Sequence, residues 1–140
     1  MTPRLPAEWE EQDAILLSWP HGDSDWVDDL PLVEPVFAAI AAAVSRFQRV
    51  IIVAPEAGTI LAQIEKAGGN CEQIVFLPLP TNDTWSRDFG PITVLEGGKP
   101  VLLDFSFNGW GLKFAANYDN LVTRRLHRAG PDFLPPARCE

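Results

Sequence analysis

The chain has 140 residues, a length that suits one domain. It is 46% hydrophobic and 21% charged, enough to bury a core, and this excludes a disordered chain. Nineteen acidic residues against 11 basic ones give a net charge of −8. That balance argues against a general nucleic-acid binder, whose phosphate contacts need a basic face. An acidic field concentrates cations, so a cationic small molecule is the favoured kind of ligand; the plainer reading is that the charge keeps the chain in solution.

The first element in chain order is a buried strand over Asp13–Pro20, a short apolar run stopped by Pro20. An Asp-rich loop follows over His21–Leu30. Pro31–Phe47 reads as a helix, with Val36, Phe37, Ile40, Ala43, Val44 and Phe47 recurring on one face. Arg49–Pro55 is a β-branched run and predicts a second buried strand. The next helix places Ile60, Ile64 and Ala67 on one side and stops at Gly68-Gly69. Glu72–Pro80 is a third strand.

Beyond it, "PITVL" and "PVLLDFSF", joined by Glu96-Gly97-Gly98-Lys99, predict a hairpin. A helix around Asn120–Arg128 and a Pro-rich tail close the chain. No linker divides it, and α/β alternation followed by a hairpin predicts an α/β domain with mixed sheets. The tail "PDFLPPARCE" rounds off no element, and reads as a plain terminus or a point of truncation.

Two cysteines, Cys71 and Cys139, and two histidines, His21 and His127, have no spacing of a zinc site or a disulfide framework. The start of the chain has no signal-peptide apolar region, and no run is long enough to span a bilayer. The expected setting is reduced and cytoplasmic, with no membrane or nucleic-acid partner.

The chemistry concentrates in "TNDTWSRDFGPITV", Thr81–Val94. A guanidinium is planar, cationic and forked. A carboxylate accepting two parallel hydrogen bonds and an aromatic face laid against the plane recognise it best. Asp88 can supply the carboxylate and Trp85 the face. In a regular strand these two residues would point to opposite sides, so a turn is required, and Phe89-Gly90-Pro91 makes one plausible. Arg87 is expected to clamp a neighbouring carboxylate or carbonyl. A structural alternative is an Arg87–Asp83 or Arg87–Asp88 ion pair, with Trp85 as core. His21 reads either as a neighbour of the site or as a solvated loop residue, and His127 as a helix-end residue complementing the last carbonyls.

Three motifs in order, "LPAEWEEQDAILLSWP", "NDTWSRDFGPI" and "DFSFNGWGLKF", resemble the agmatine deiminase and bacterial-type peptidyl-arginine deiminase family of the pentein superfamily. The resemblance covers nearly the whole chain. It implies a five-fold pseudosymmetric α/β propeller, of which residues 1–140 would be about the first two modules, an N-terminal part of a single domain. It implies that Asp88 binds the substrate guanidinium and takes part in catalysis, that Trp85 and Asp83 border it, and that Trp19 lies near the pocket mouth. Asn108, Trp110, Gly111 and Lys113 fall in a signature that shapes or supports the site, with Arg87 as a further support.

The implied reaction is hydrolytic deimination. A cysteine thiolate attacks the guanidinium carbon, ammonia leaves, and water releases a urea product, without metal or organic cofactor. With agmatine the product is N-carbamoylputrescine, a step towards putrescine. Peptidyl-arginine is the alternative substrate, and a non-catalytic binding or assembly module is the alternative outside enzymology. Family members are more than twice as long, so the nucleophile, the catalytic histidine and the second carboxylate are expected beyond residue 140. The chain would then be a fragment, a split or truncated gene, or one part of a larger molecule. It is expected to be inactive alone and to self-associate through open propeller edges.

Overall fold

The computed structural model describes residues 2–130, 132 and 134–140. They form two compact units, residues 12–86 and residues 1–11 with 87–140.

The first unit is a parallel sheet in the order β1-β2-β3, made of Ala14–Ser18, Arg49–Ala54 and Ile74–Pro78. The register pairs Leu17 with Ile52 and Ile52 with Phe76. β2 is central, and every residue from Val50 to Ala54 is buried. A strand covered on both faces needs apolar side chains at every position, and the β-branched run supplies them. Each such Val or Ile contributes about 1.5–3 kcal/mol when fully buried. Helices α1 (Leu30–Val44) and α2 (Ile60–Lys66) pack on the face that carries Val50, Ile52 and Ala54. α2 ends as its glycines predict. Gly68 has a φ of +83°, and the amides of Gly68 and Gly69 return to the carbonyls of Glu65 and Ile64. Ala67 lies past the helix and is exposed, so it is not part of the buried face.

The expected buried face of α1 is corrected. Ala38, Ala41, Ala42 and Ser45 are buried, while Val36, Ile40 and Phe47 are exposed. Only Phe37 and Val44 of the expected set pack partly against the core. Both stripes recur at helical spacing. The alanines and Ser45 face the sheet because small side chains let the helix axis approach it closely. The Ser45 hydroxyl is satisfied there, donating to the Ala42 carbonyl and accepting from the Asn70 amide.

The second unit holds the predicted hairpin. β4 (Ile92–Glu96) and β5 (Lys99–Asp104) pair antiparallel. Gly97 and Gly98 form the two-residue turn, both with positive φ, 58° and 80°, as a type I′ turn demands. The tail is no plain terminus: Ala137–Cys139 forms β6, parallel to β5, which makes this sheet mixed. Pro131 and Phe133 of the tail lie outside the described residues. The expected mixed sheets are therefore one parallel sheet and one mixed one.

Helix α5 spans Val122–Ala129, with His127 and Arg128 in its last turn. Between β5 and α5 lies α4, Gly109–Leu112, a single turn of unusual hand. All four residues have positive φ: 65°, 57°, 80° and 65°. Two of them, Trp110 and Leu112, are not glycine, and each costs about 1–2 kcal/mol in that region. The Asn108 side chain holds the turn by accepting from the Gly111 amide at 2.9 Å. The amides of Leu112, Lys113 and Phe114 close it onto the carbonyls of Asn108 and Gly109.

Candidate functional site

In parallel sheets, ligands bind beyond the carboxyl ends of the strands, because loops from neighbouring strands meet there. In the first unit those loops follow β1 and β3, the strands on either side of β2. The loop after β1 is built on Ser24, whose hydroxyl donates to the His21 carbonyl at 2.7 Å and accepts from the His21 amide at 3.1 Å. The Asp23 amide donates to His21 Nδ1, which leaves Nε2 to carry the proton. Nε2 then donates to the Thr81 hydroxyl at 2.9 Å. His21 is therefore a tie between the two loops and not a solvated residue.

Two further ties join the same loops. Trp26 Nε1 donates to the Thr84 hydroxyl at 3.1 Å, and the Trp26 and Trp85 rings lie 6.4 Å apart. The Asp83 carboxyl hydrogen-bonds to both the side chain and the backbone of Asp25. Asp83 is 7% exposed, and its Oδ1 also accepts from the Thr84 amide at 2.8 Å. Burial, above all, pushes its carboxyl upward from the ordinary value; the Asp25 carboxyl pushes the same way, against the pull of the Thr84 and Asp25 amides. The main chain beneath is fixed to β1, since Ser18 Oγ donates to the Asp83 carbonyl at 2.6 Å and Ser86 Oγ to the Leu16 carbonyl at 3.0 Å.

A raised carboxyl favours the folded state while protonated. That contribution is complete below the ordinary carboxylate value and is lost as pH rises through the raised one. The melting temperature of the native chain minus that of Asp83→Asn should therefore fall as pH rises above the ordinary aspartate value. Thermal scans across that rise in pH test it, and a difference that grows with pH would refute it.

The predicted residues fall in several places. Trp85 is half-exposed beside Trp26. Asp88 lies on α3, the single helical turn Ser86–Phe89, which supplies the turn that the residue types required. Asp88 and Arg87 are exposed, and neither makes an ion pair among the described residues. The clamp expected of Arg87 and the internal ion-pair alternative are thus both absent there. Trp19 is 1% exposed. Its indole donates to Glu34 and packs edge-on against Phe37, so it is a core residue rather than one at a pocket mouth. Asn108, Trp110 and Gly111 together form the left-handed turn.

The two cysteines lie in different surroundings. Cys71 is exposed, 3.9 Å from the Leu61 carbonyl. Cys139 sits on β6 beside the Asp104–Arg124 ion pair. The sequence reading missed Asp25 and Trp26 as members of the site. The repetition of an Asp–Trp association in "DSDW" and "NDTW" was the signal for them.

The first unit is thus a parallel α/β unit whose loops beyond the strand ends carry acidic and indole side chains. Comparison with known proteins gives the family. The model of the Porphyromonas-type peptidyl-arginine deiminases matches residues 4–136, and the chain belongs to that family. It is 31% identical over 129 residues to an agmatine deiminase of Pseudomonas aeruginosa, covering 88% of this chain and 34% of the relative. A C. jejuni agmatine deiminase solved with substrate bound superimposes with a TM-score of 0.85 at 33% identity, over 99% of this chain and 40% of the other. The agmatine deiminase of Enterococcus faecalis gives 0.75 at 26% identity, over 97% and 37%. The fold is accordingly the α/β type of the pentein propellers. The chain spans about a third of the length of the curated relatives it matches.

Proposed function

We propose that this chain carries the guanidinium-holding part of a hydrolase that converts agmatine and water to N-carbamoylputrescine and ammonia, on the way to putrescine. The observation that carries the reading is Asp88, exposed on a tight helical turn and without a hydrogen bond or ion pair among the described residues. A free carboxylate has its hydrogen-bonding capacity open for a forked cation. The family match and the substrate-bound relative support the same chemistry.

Agmatine is preferred over peptidyl-arginine because the curated relatives are named for it. The family's own description keeps peptidyl-arginine as the second reading. The thiolate and the proton-moving histidine belong, in this reading, to segments other than Cys71 and Cys139. A cytoplasmic setting goes with it, supported by two unpaired cysteines.

Titration of the 140-residue chain with agmatine, followed by NMR at the Trp85 and Trp26 indole N–H groups, tests the proposal. Saturable shifts with agmatine, and weaker ones with putrescine, which has no guanidinium, are expected. Equal response to both amines would overturn guanidinium recognition.

A further inference from the structure

We propose that Thr123 and Phe107 are positioning residues for the Asp88 carboxylate, acting through Phe89. The proposal rests on the reading of Asp88 as the guanidinium-binding group. A four-residue helix cannot hold itself, since its nucleus costs more than its hydrogen bonds return. The Asp88 side chain makes no hydrogen bond or ion pair among the described residues that could aim it. Its direction must come from the backbone on either side.

On the C-terminal side that backbone is Phe89, 3% exposed. The Thr123 hydroxyl, on α5, donates to the Phe89 carbonyl at 3.3 Å. Thr123 is itself 1% exposed, flanked by buried Val122 and Leu126. A valine would fill the same space, and a buried hydroxyl is costly unless it finds an acceptor. A helical threonine commonly turns its hydroxyl back to its own helix; this one reaches 34 residues away.

The ring of Phe89 is held separately. It lies 6.0 Å from the Phe107 ring, and Phe107 stands edge-on to Trp110 at 5.0 Å. The Phe107 amide is fixed by the Asn120 side chain at 2.7 Å. Trp110 belongs to the left-handed turn, and Phe114 closes on its other side at 5.7 Å. The residue next to Asp88 is therefore pinned twice, at its carbonyl by α5 and at its ring by an aromatic series. The strain held in the left-handed turn is understandable as the cost of fixing that series.

The test uses Thr123→Val, which keeps the shape and removes the donor, and Thr123→Ser, which restores it. Ile52→Val, a core change in the other unit, controls for plain loss of stability. Two quantities are read: the ¹⁵N order parameters of Arg87, Asp88 and Phe89 without ligand, and the agmatine dissociation constant. In Thr123→Val the order parameters should fall from the rigid range, about 0.85, towards 0.6. The dissociation constant should rise about fivefold, the effect of one modest hydrogen bond. Thr123→Ser should recover both, and Ile52→Val should move neither. Phe107→Leu should reproduce the loss of order by the second route. Unchanged order parameters in both Thr123→Val and Phe107→Leu would overturn the positioning. A native chain that binds no agmatine would count against the guanidinium reading, and the order parameters would then decide the positioning alone.

Discussion

Asp88→Asn is expected to weaken agmatine binding at least about tenfold, to the point of loss, while leaving the melting temperature unchanged. The carboxylate is exposed and makes no hydrogen bond or ion pair among the described residues, so the fold does not depend on its charge. An asparagine keeps one acceptor oxygen but puts an NH₂ group where the second guanidinium N–H would donate, and it removes the opposite charge. Hydrogen bonds to charged groups contribute about 1.5–3 kcal/mol, so the loss of affinity is about ten- to a hundredfold or more. Calorimetric titration and a thermal scan on the same samples check it. If the chain were a non-catalytic assembly module, the substitution would matter little. Equal affinity in the two proteins would therefore remove the enzymatic reading.

Gly109→Ala is expected to destabilise the second unit by about 2–5 kcal/mol, from strain in the left-handed region together with overpacking. Gly109 has a φ of +65°. An added Cβ would meet the Phe114 carbonyl oxygen at 2.2 Å and the Ala116 Cβ at 3.3 Å. That carbonyl belongs to the backbone, which cannot rotate aside as a side chain would. The Phe114 amide is also bonded to the Gly109 carbonyl, so the two segments cannot separate without opening the turn. A domain of this size is held by only about 5–15 kcal/mol in total. Chemical denaturation, with the Trp110 environment followed by fluorescence, measures the loss. Gly111→Ala supplies the contrast: its φ is +80°, but nothing lies within 4 Å of the added carbon. Strain alone remains there, and the cost should be about 1 kcal/mol. Equal effects at the two positions would refute the steric account.

That contrast shows how far the motif could be read. The resemblance singled out Gly111, yet Gly109 is the glycine that the packing demands. A motif records which residue types recur, and says little about which of them faces a backbone at close range. The hairpin was legible because a Gly-Gly pair between two apolar runs satisfies its turn by itself. The burial of β2 and the end of α2 were legible on similar grounds. The face of α1 was not, because two apolar stripes compete on one helix. The sheet beneath selects the one made of alanines. The resemblance implies a pocket mouth for Trp19, which lies instead in the core, bonded to Glu34. β6 is not legible in the sequence, because three residues carry too little local preference to announce a strand; pairing with β5 forms it.

The sequence by itself determined the order of the elements, the hairpin and the acidic indole motif, because these depend on residues only a few positions apart. Tertiary structure alone decided that Asp25 meets Asp83, that His21 ties to Thr81, and that Thr123 reaches Phe89. Those pairs lie 34 to 60 residues apart. Nothing in the local chain can favour such a pair until folding has brought its two partners together, so their energies enter only in the packed state.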